Sequence, residues 1–181
     1  MNVSLLEKCI GKIPDYPKKG ILFYDFLPLI YNSDALSLAT DMFENKLNKY
    51  NFDKFAAIDA RGFLFGGILC ERFKKGITLI RKKGKIPGEK KIKINYELEY
   101  GTDSLEINPD LSKGKFILVD DLLATGGTAS AAEKLICKAG GEVVCFISLI
   151  ELCFLKGRDA ISAPCESLIK YETWQETTNY F

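Results

Sequence analysis

The chain has 181 residues, 47% of them hydrophobic, and a formal net charge of +1. So balanced a charge creates no global field to recruit nucleic acid or an anionic membrane, and no run of about 18 apolar residues reads as a transmembrane helix. The length suits a single domain with a substantial core, and the opening residues lack the hydrophobic block of a signal peptide. None of the six cysteines forms a Cys-x-x-Cys pair and histidine is absent, so no zinc site is expected. Any acid–base work falls to carboxylates, lysine, tyrosine or the substrate. A reduced, cytoplasmic protein is the expectation.

Read in order, residues 4–10 suit a short helix. Pro14 and Pro17 then break regular structure, and Ile21, Leu22 and Phe23 form a short strand candidate. On composition alone Phe23 is a core aromatic. Ser33 is placed to N-cap a helix running through Lys49, with Asp34 in its first turn. Residues 55–58 read as a buried strand ending at Asp59, Ala60, Arg61 and Gly62. A helix follows from about 63 to 73, where Gly66 and Gly67 allow close packing on a sheet. Taken alone, Arg61 is an exposed loop arginine. It also stands at the carboxyl end of a strand, where open α/β sheets bind ligands.

A strand at 76–80 leads into a basic span that includes Arg81, Lys82, Lys83, Lys85, Lys90, Lys91 and Lys93. Such a run reads as a solvated loop or a nucleic-acid patch. Thin aromatic interleaving and the lack of any other basic face favour a diphosphate as its partner. Residues 92–105 alternate and turn at Gly101-Thr102-Asp103, the pattern of an antiparallel hairpin. On sequence alone Glu97 and Glu99 are solvent-facing carboxylates of that hairpin. Residues 143–150 form another apolar strand, 156–158 open a short helix, and 167–169 are a last strand. The tail, 172–181, carries the only tryptophan, Trp174. Strands alternating with helices imply an α/β fold with a largely parallel sheet.

The most informative stretch is 117–128, ILVDDLLATGGT. An apolar strand, 116–119, is followed by two adjacent carboxylates, Asp120 and Asp121, where it would end. A small-residue loop comes next, Ala124, Thr125, Gly126, Gly127 and Thr128. A helix over 129–139 follows, stopped by Gly140-Gly141. Strand, loop and helix N-terminus in that order bind anions, because glycines let N–H groups close around a phosphate and the first turn adds unpaired donors. The Gly-Lys-Ser/Thr ending of a Walker A loop is missing, as is the dinucleotide spacing of glycines. The acidic pair would repel a bare phosphate. It suits vicinal sugar hydroxyls, with the sugar's 5-phosphate in the loop.

This stretch resembles the phosphoribosyl-diphosphate (PRPP) motif of the type I phosphoribosyltransferases. The opening segment, Pro14-Asp15-Tyr16-Pro17 with Gly20-Ile21-Leu22-Phe23 and Asp25, is similar to that of the adenine-specific branch, as are residues 81–88 and the Glu99-Tyr100-Gly101 ending of the hairpin. The resemblance spans about 13–171. It implies a doubly wound core (36–171) with a small N-terminal hood (1–35), a mobile hairpin loop at about 84–105 and a tail (172–181). It implies a purine-salvage transfer from PRPP to adenine, giving AMP and diphosphate with Mg²⁺ held mainly by substrate and water.

By the same resemblance Asp120 and Asp121 hold the ribose, and Ala124, Thr125, Gly126, Gly127 and Thr128 hold the 5-phosphate. Asp59, Ala60, Arg61, Arg81, Lys82, Lys85 and Tyr100 serve the diphosphate, with the Asp59–Ala60 peptide often cis in the family. Leu22, Phe23, Tyr24 and Leu152 take the adenine, and Glu99 is the acid at the base. A homodimer meeting near the Arg61 to Lys85 side is implied, with no nucleic-acid or membrane partner. Two alternatives stay open: a phosphoribosyltransferase for another base, and a PRPP-sensing regulator without catalysis.

Overall fold

The computed structural model describes residues 3–98 and 101–173. A short helix α1 (Val3–Glu7) precedes a two-stranded antiparallel ribbon, β1 (Gly11–Ile13) with β2 (Phe23–Asp25). Helices α2 (Leu27–Tyr31) and α3 (Ser33–Leu47) follow. The expected strand at 21–23 thus lies two residues later, because its partner in the ribbon pairs Ile13 with Phe23 and Gly11 with Asp25. The cap of α3 is Asn32 and not Ser33: its side-chain oxygen accepts from the amides of Asp34 (3.0 Å) and Ala35 (3.1 Å). Both residue types make good caps. The extended backbone of Asn32 decides which one does.

The main sheet has seven strands. β3 (Lys54–Ile58), β4 (Gly76–Lys82), β7 (Gly114–Leu123), β8 (Gly141–Leu152) and β9 (Cys165–Tyr171) are parallel, in spatial order β4-β3-β7-β8-β9. The antiparallel hairpin β5 (Ile92–Leu98) and β6 (Gly101–Ile107) extends the sheet beyond β4. Gly101, Thr102 and Asp103 belong to β6, paired with Leu98, Glu97 and Tyr96, so they do not form the expected turn.

Helix α4 (Gly62–Phe73) packs with α3 on one face of the sheet, and α5 (Gly127–Lys138) covers the other. Residue parity along β7 shows why. Ile117 and Val119 enter one core with Phe43 and Phe65, while Phe116 and Leu118 enter the other with Leu135 and Ile136. Both faces are buried, so a parallel strand reads as an unbroken apolar run. Of the two glycines expected to allow close packing, only Gly66 does so: a Cβ there would lie 2.7 Å from Ala57 Cβ and 2.9 Å from Ile77 Cδ1, whereas Gly67 faces open space.

Strand order places the site. From β3 the chain crosses through α4 to β4 on one side, and from β7 through α5 to β8 and β9 on the other. The winding reverses between β3 and β7. At such a reversal the two outgoing turns diverge and leave a crevice at the carboxyl ends of the strands.

Candidate active site

Two strand–turn–helix units meet at this crevice. The first is β3–α4, whose Asp59–Ala60 peptide is cis. Gly62 begins α4 directly against β7. A Cβ at Gly62 would lie 2.7 Å from the Val119 carbonyl and 3.2 Å from both Asp120 Cα and Asp120 Oδ1. Its lack of a side chain lets the arginine before it approach the acidic pair. The sequence carried only a weak sign of this role, a glycine just after Arg61 at a helix start.

The second unit is β7–α5. Contrary to expectation, β7 does not end before the carboxylates. It continues to Leu123, because β8 keeps pairing with it through Leu122↔Ile150 and Leu123↔Glu151. The acidic pair therefore sits on a ladder-anchored backbone. Asp120 Oδ1 accepts from the Asp121 amide at 2.9 Å, and Asp121 Oδ2 pairs with Arg61 Nε at 3.2 Å. Burial, reinforced by the neighbouring Asp121 charge, pushes the Asp120 carboxyl well above the ordinary carboxylate range. Burial also raises Asp121, with Arg61 opposing it. Two desolvated carboxylates side by side are costly without partners. Sugar hydroxyls are suitable donors to them.

Beyond the pair, Gly126 is left-handed (φ +80°) and precedes α5. No side chain caps the helix and its first turn holds no acidic residue. Its leading amides are thus available to an anion. Arg61, Asp120, Asp121 and the loop from Leu122 to Ala129 enclose a cavity of about 200 Å³. All of Ala124, Thr125, Gly126, Gly127 and Thr128 line it. Tyr96 of β5, which no sequence signal singled out, donates its hydroxyl to Asp103 Oδ2 at 3.5 Å, within the hairpin beside the cradle.

The basic side lies next to it. Asp59 Oδ2 accepts from Arg81 Nε at 2.9 Å and from the Lys82 amide at 3.3 Å, so this carboxylate orients cations. Lys82 Nζ stands 3.3 Å from Asp103 Oδ2, and Lys85 is exposed. Arg61, expected with these cations, pairs with Asp121. Its guanidinium carbon lies 5.9 Å from the Phe23 ring centre and 5.8 Å from that of Phe26. Among the diphosphate candidates, Tyr100 lies outside the described residues, as does Glu99.

At the hood, Phe23 is half-buried with its ring edge-on to Tyr16, centroids 5.1 Å apart. It is not the core aromatic that composition suggested. Tyr24 is: its ring is buried 4.2 Å from that of Tyr171. Leu22 packs at the edge of the same core. Leu152, at the end of β8, pairs with Tyr171 across the sheet. Tyr171 and Tyr24 thereby link Leu152 to the strand that carries Phe23. Among the described residues no three His, Cys, Asp or Glu side chains gather as a metal site, all six cysteines are free, and no helix is long and apolar enough to cross a membrane.

Comparison with known proteins agrees with this geometry. Residues 30–179 match the phosphoribosyl transferase domain. The chain is 48% identical over 172 residues to the adenine phosphoribosyltransferase of Nitrosopumilus maritimus, covering 93% of this chain and all of that one. The crystal structure of the Thermoanaerobacter pseudethanolicus adenine phosphoribosyltransferase superimposes with a TM-score of 0.90 at 44% identity, covering 94% of this chain and all of that one. The Saccharomyces cerevisiae adenine phosphoribosyltransferase, solved with an imino-altritol bisphosphate and adenine, gives a TM-score of 0.86 at 36% identity, covering 92% and 97%. With the acidic pair, the uncapped helix and the reversal of winding all in place, this chain belongs to the adenine phosphoribosyltransferases, within the phosphoribosyl transferase domain family.

Proposed function

We propose that the protein transfers the phosphoribosyl group of PRPP to adenine in purine salvage, giving AMP and diphosphate. The observation that carries this reading is the meeting of Asp120 and Asp121 with the uncapped N-terminus of α5 in one cavity. Relatives named for this activity, at 45–48% identity over nearly the whole chain, support it.

Asp120 and Asp121 accept from the ribose 2- and 3-hydroxyls, and the loop 124–128 holds the 5-phosphate. Arg81, Lys82 and Lys85 face the diphosphate, with Asp59 aiming Arg81. Arg61 bridges the ribose carboxylates and the hood. Leu22 and Tyr24 contribute backbone only, since the Tyr24 ring is committed to the core. Phe23 and Leu152 flank adenine.

In the transfer, N9 of adenine bonds to C1 of the ribose while the C1–O bond to diphosphate breaks and the N9 proton is released. Positive charge develops on the sugar, as in glycoside cleavage. A carboxylate pair held on the ladder-paired strand beside that sugar fixes it for in-line attack. Glu99, in protonated form, bonds the N7 side of adenine, a role that rests on the family resemblance, and Tyr100 covers the diphosphate.

Mg²⁺ would neutralise the departing diphosphate, held chiefly by substrate oxygens and water. The hard oxygens of Asp120 and Asp121 fit that ion's preference through water. We place the enzyme in the cytoplasm, where its free thiols stay reduced, and expect a homodimer meeting near the Arg61 to Lys85 side. Solution scattering tests the dimer, and a monomeric mass refutes it.

Radiolabelled conversion of adenine by purified protein with PRPP and Mg²⁺, beside guanine and hypoxanthine, tests the reading. AMP from adenine alone supports it. PRPP binding without conversion of any base overturns it in favour of a regulator. In the same assay Glu99→Gln should lower turnover by about 10²-fold with PRPP affinity retained.

A further inference from the structure

One segment that neither the motifs nor the mechanism uses lies against the phosphate loop. After β8, residues 156–163 cross behind the cradle, and the contact is backbone on backbone. A Cβ added to Gly126 would overlap the Gly157 carbonyl oxygen and come within 3.0 Å of Ala160 Cβ. A Cβ added to Gly157 would overlap the Ala124 carbonyl and come within 3.0 Å of the Gly126 amide nitrogen. Each glycine admits the other. No side chain fits between the two loops.

The segment is fastened at both ends by buried carboxylates. Near its start, Arg158 forks onto Glu151: Nε bonds Oε1 and Nη2 bonds Oε2 at 2.6 Å. The same guanidinium reaches the Cys165 carbonyl and the Ser167 hydroxyl (3.3 Å), and Ser167 in turn donates to Glu151. Burial alone would raise the Glu151 carboxyl, but the Arg158 and Ser167 hydrogen bonds overcome it and hold it below the ordinary range. Toward the end, buried Glu133 of α5 accepts from the amides of Ser162 (2.9 Å) and Ala163 (2.8 Å). Glu133 belongs to the helix whose first turn faces the cavity. The segment is therefore tied to both elements that flank the cradle, β8 and α5.

We propose that residues 156–163 form a positioning strap for the ribose-phosphate cradle, with Gly157, Arg158 and Glu133 as positioning residues that set affinity for the sugar-phosphate half of the substrate. None of the three need touch substrate. Their effect passes through the Ala124–Gly126 backbone, whose amides must point inward to hold a phosphate. A misplacement of about 1 Å in such a cradle is enough to cost a large factor in binding. The diphosphate side, which the strap does not touch, should be indifferent to it. The inference rests on the reading of the loop 124–128 as the 5-phosphate site.

The test compares Gly157→Ala, Glu133→Gln and Arg158→Lys with Thr128→Ala, a change in the cradle itself. KM is measured for PRPP and for adenine, together with inhibition by ribose 5-phosphate and by inorganic diphosphate. The strap variants should raise the KM for PRPP and the inhibition constant of ribose 5-phosphate about tenfold, leaving the adenine KM and diphosphate inhibition within about twofold. A strap that only stabilises the fold would lower kcat through the active fraction and leave both PRPP KM and ribose 5-phosphate inhibition unchanged. That result, with Thr128→Ala weakening ribose 5-phosphate, overturns the strap and spares the cradle. If Thr128→Ala leaves ribose 5-phosphate untouched, the cradle reading fails and the strap with it. Should Gly157→Ala not fold, the two milder variants carry the comparison.

Discussion

The two halves of the crevice, proposed to hold the two ends of one polyanion, are built in opposite ways. On the side proposed for the ribose phosphate, Asp121 is buried, Asp120 is half-buried and their backbone is locked. Asp121 is 5% exposed, β7 is ladder-paired through the acidic stretch, and the loop beyond it is wedged against Gly157. On the side proposed for the diphosphate the cations stand on the rim. Lys85 and Lys82 are exposed, and the Arg81–Asp59 and Lys82–Asp103 pairs are partly solvated. A buried, pre-oriented site binds by geometry and pays desolvation in advance. A solvated rim binds by charge and is screened by salt. This contrast suits an enzyme that keeps the sugar phosphate fixed while releasing the diphosphate.

Replacing one carboxylate of the acidic pair should break the contrast most sharply. Asp120→Asn is expected to lower kcat/KM for PRPP by about 10²-fold, because a ribose hydroxyl loses its charged acceptor. The same change should make the free protein more stable. Asp120 is an acid whose folded value is raised above its ordinary 3.8, so the folded state binds the proton more tightly. Its contribution is favourable below that ordinary value and is lost as pH rises through the window up to the folded value, leaving a penalty at neutral pH. Thermal melts of ligand-free protein at neutral pH should show Asp120→Asn a few degrees above wild type, the gap closing under acid conditions. A lower melting point at neutral pH would contradict the burial argument.

Arg61 joins the two regimes, because it pairs with Asp121 while its guanidinium lies near Phe23 and Phe26. Lysine can keep the charge near Asp121 but cannot spread a planar cation against the rings. Arg61→Lys is therefore expected to raise KM for both PRPP and adenine by about five- to tenfold, read from initial rates with each substrate varied. An effect on PRPP alone would uncouple Arg61 from the hood. The smallest effects belong to the rim. Lys85→Ala should raise the PRPP KM about threefold at low ionic strength, with the difference fading as salt approaches about 0.5 M. A salt-independent loss would mean that Lys85 is as desolvated as the carboxylates opposite.

Much of this site could be read from the sequence where the chemistry is local. The apolar strand, the acidic pair, Gly126-Gly127 and the helix after them lie within one short stretch, and their order alone points to a sugar phosphate. The hood was less legible. Phe23 and Tyr24 are adjacent aromatics, and only the pairing of β2 with β1 and the position of Tyr171 decide which ring enters the core. The cap at Asn32 was readable in principle, but Asn32 and Ser33 compete on equal terms until the backbone chooses.

By itself, then, the sequence determined the alternation of strands and helices, the two anion-ready turns and the type of ligand they suit. These depend on side-chain periodicity, turn chemistry and neighbours a few residues apart. Tertiary structure decided everything that joins distant segments. It placed the reversal of winding between β3 and β7, which sets the two turns side by side, and it carried β7 past its apolar run because β8 continued beside it. It turned Arg61 toward Asp121 and brought Gly157 against Gly126. Such contacts span some 30 to 60 residues of chain. Their energy comes from burial and shape at the point of meeting, which no local pattern encodes.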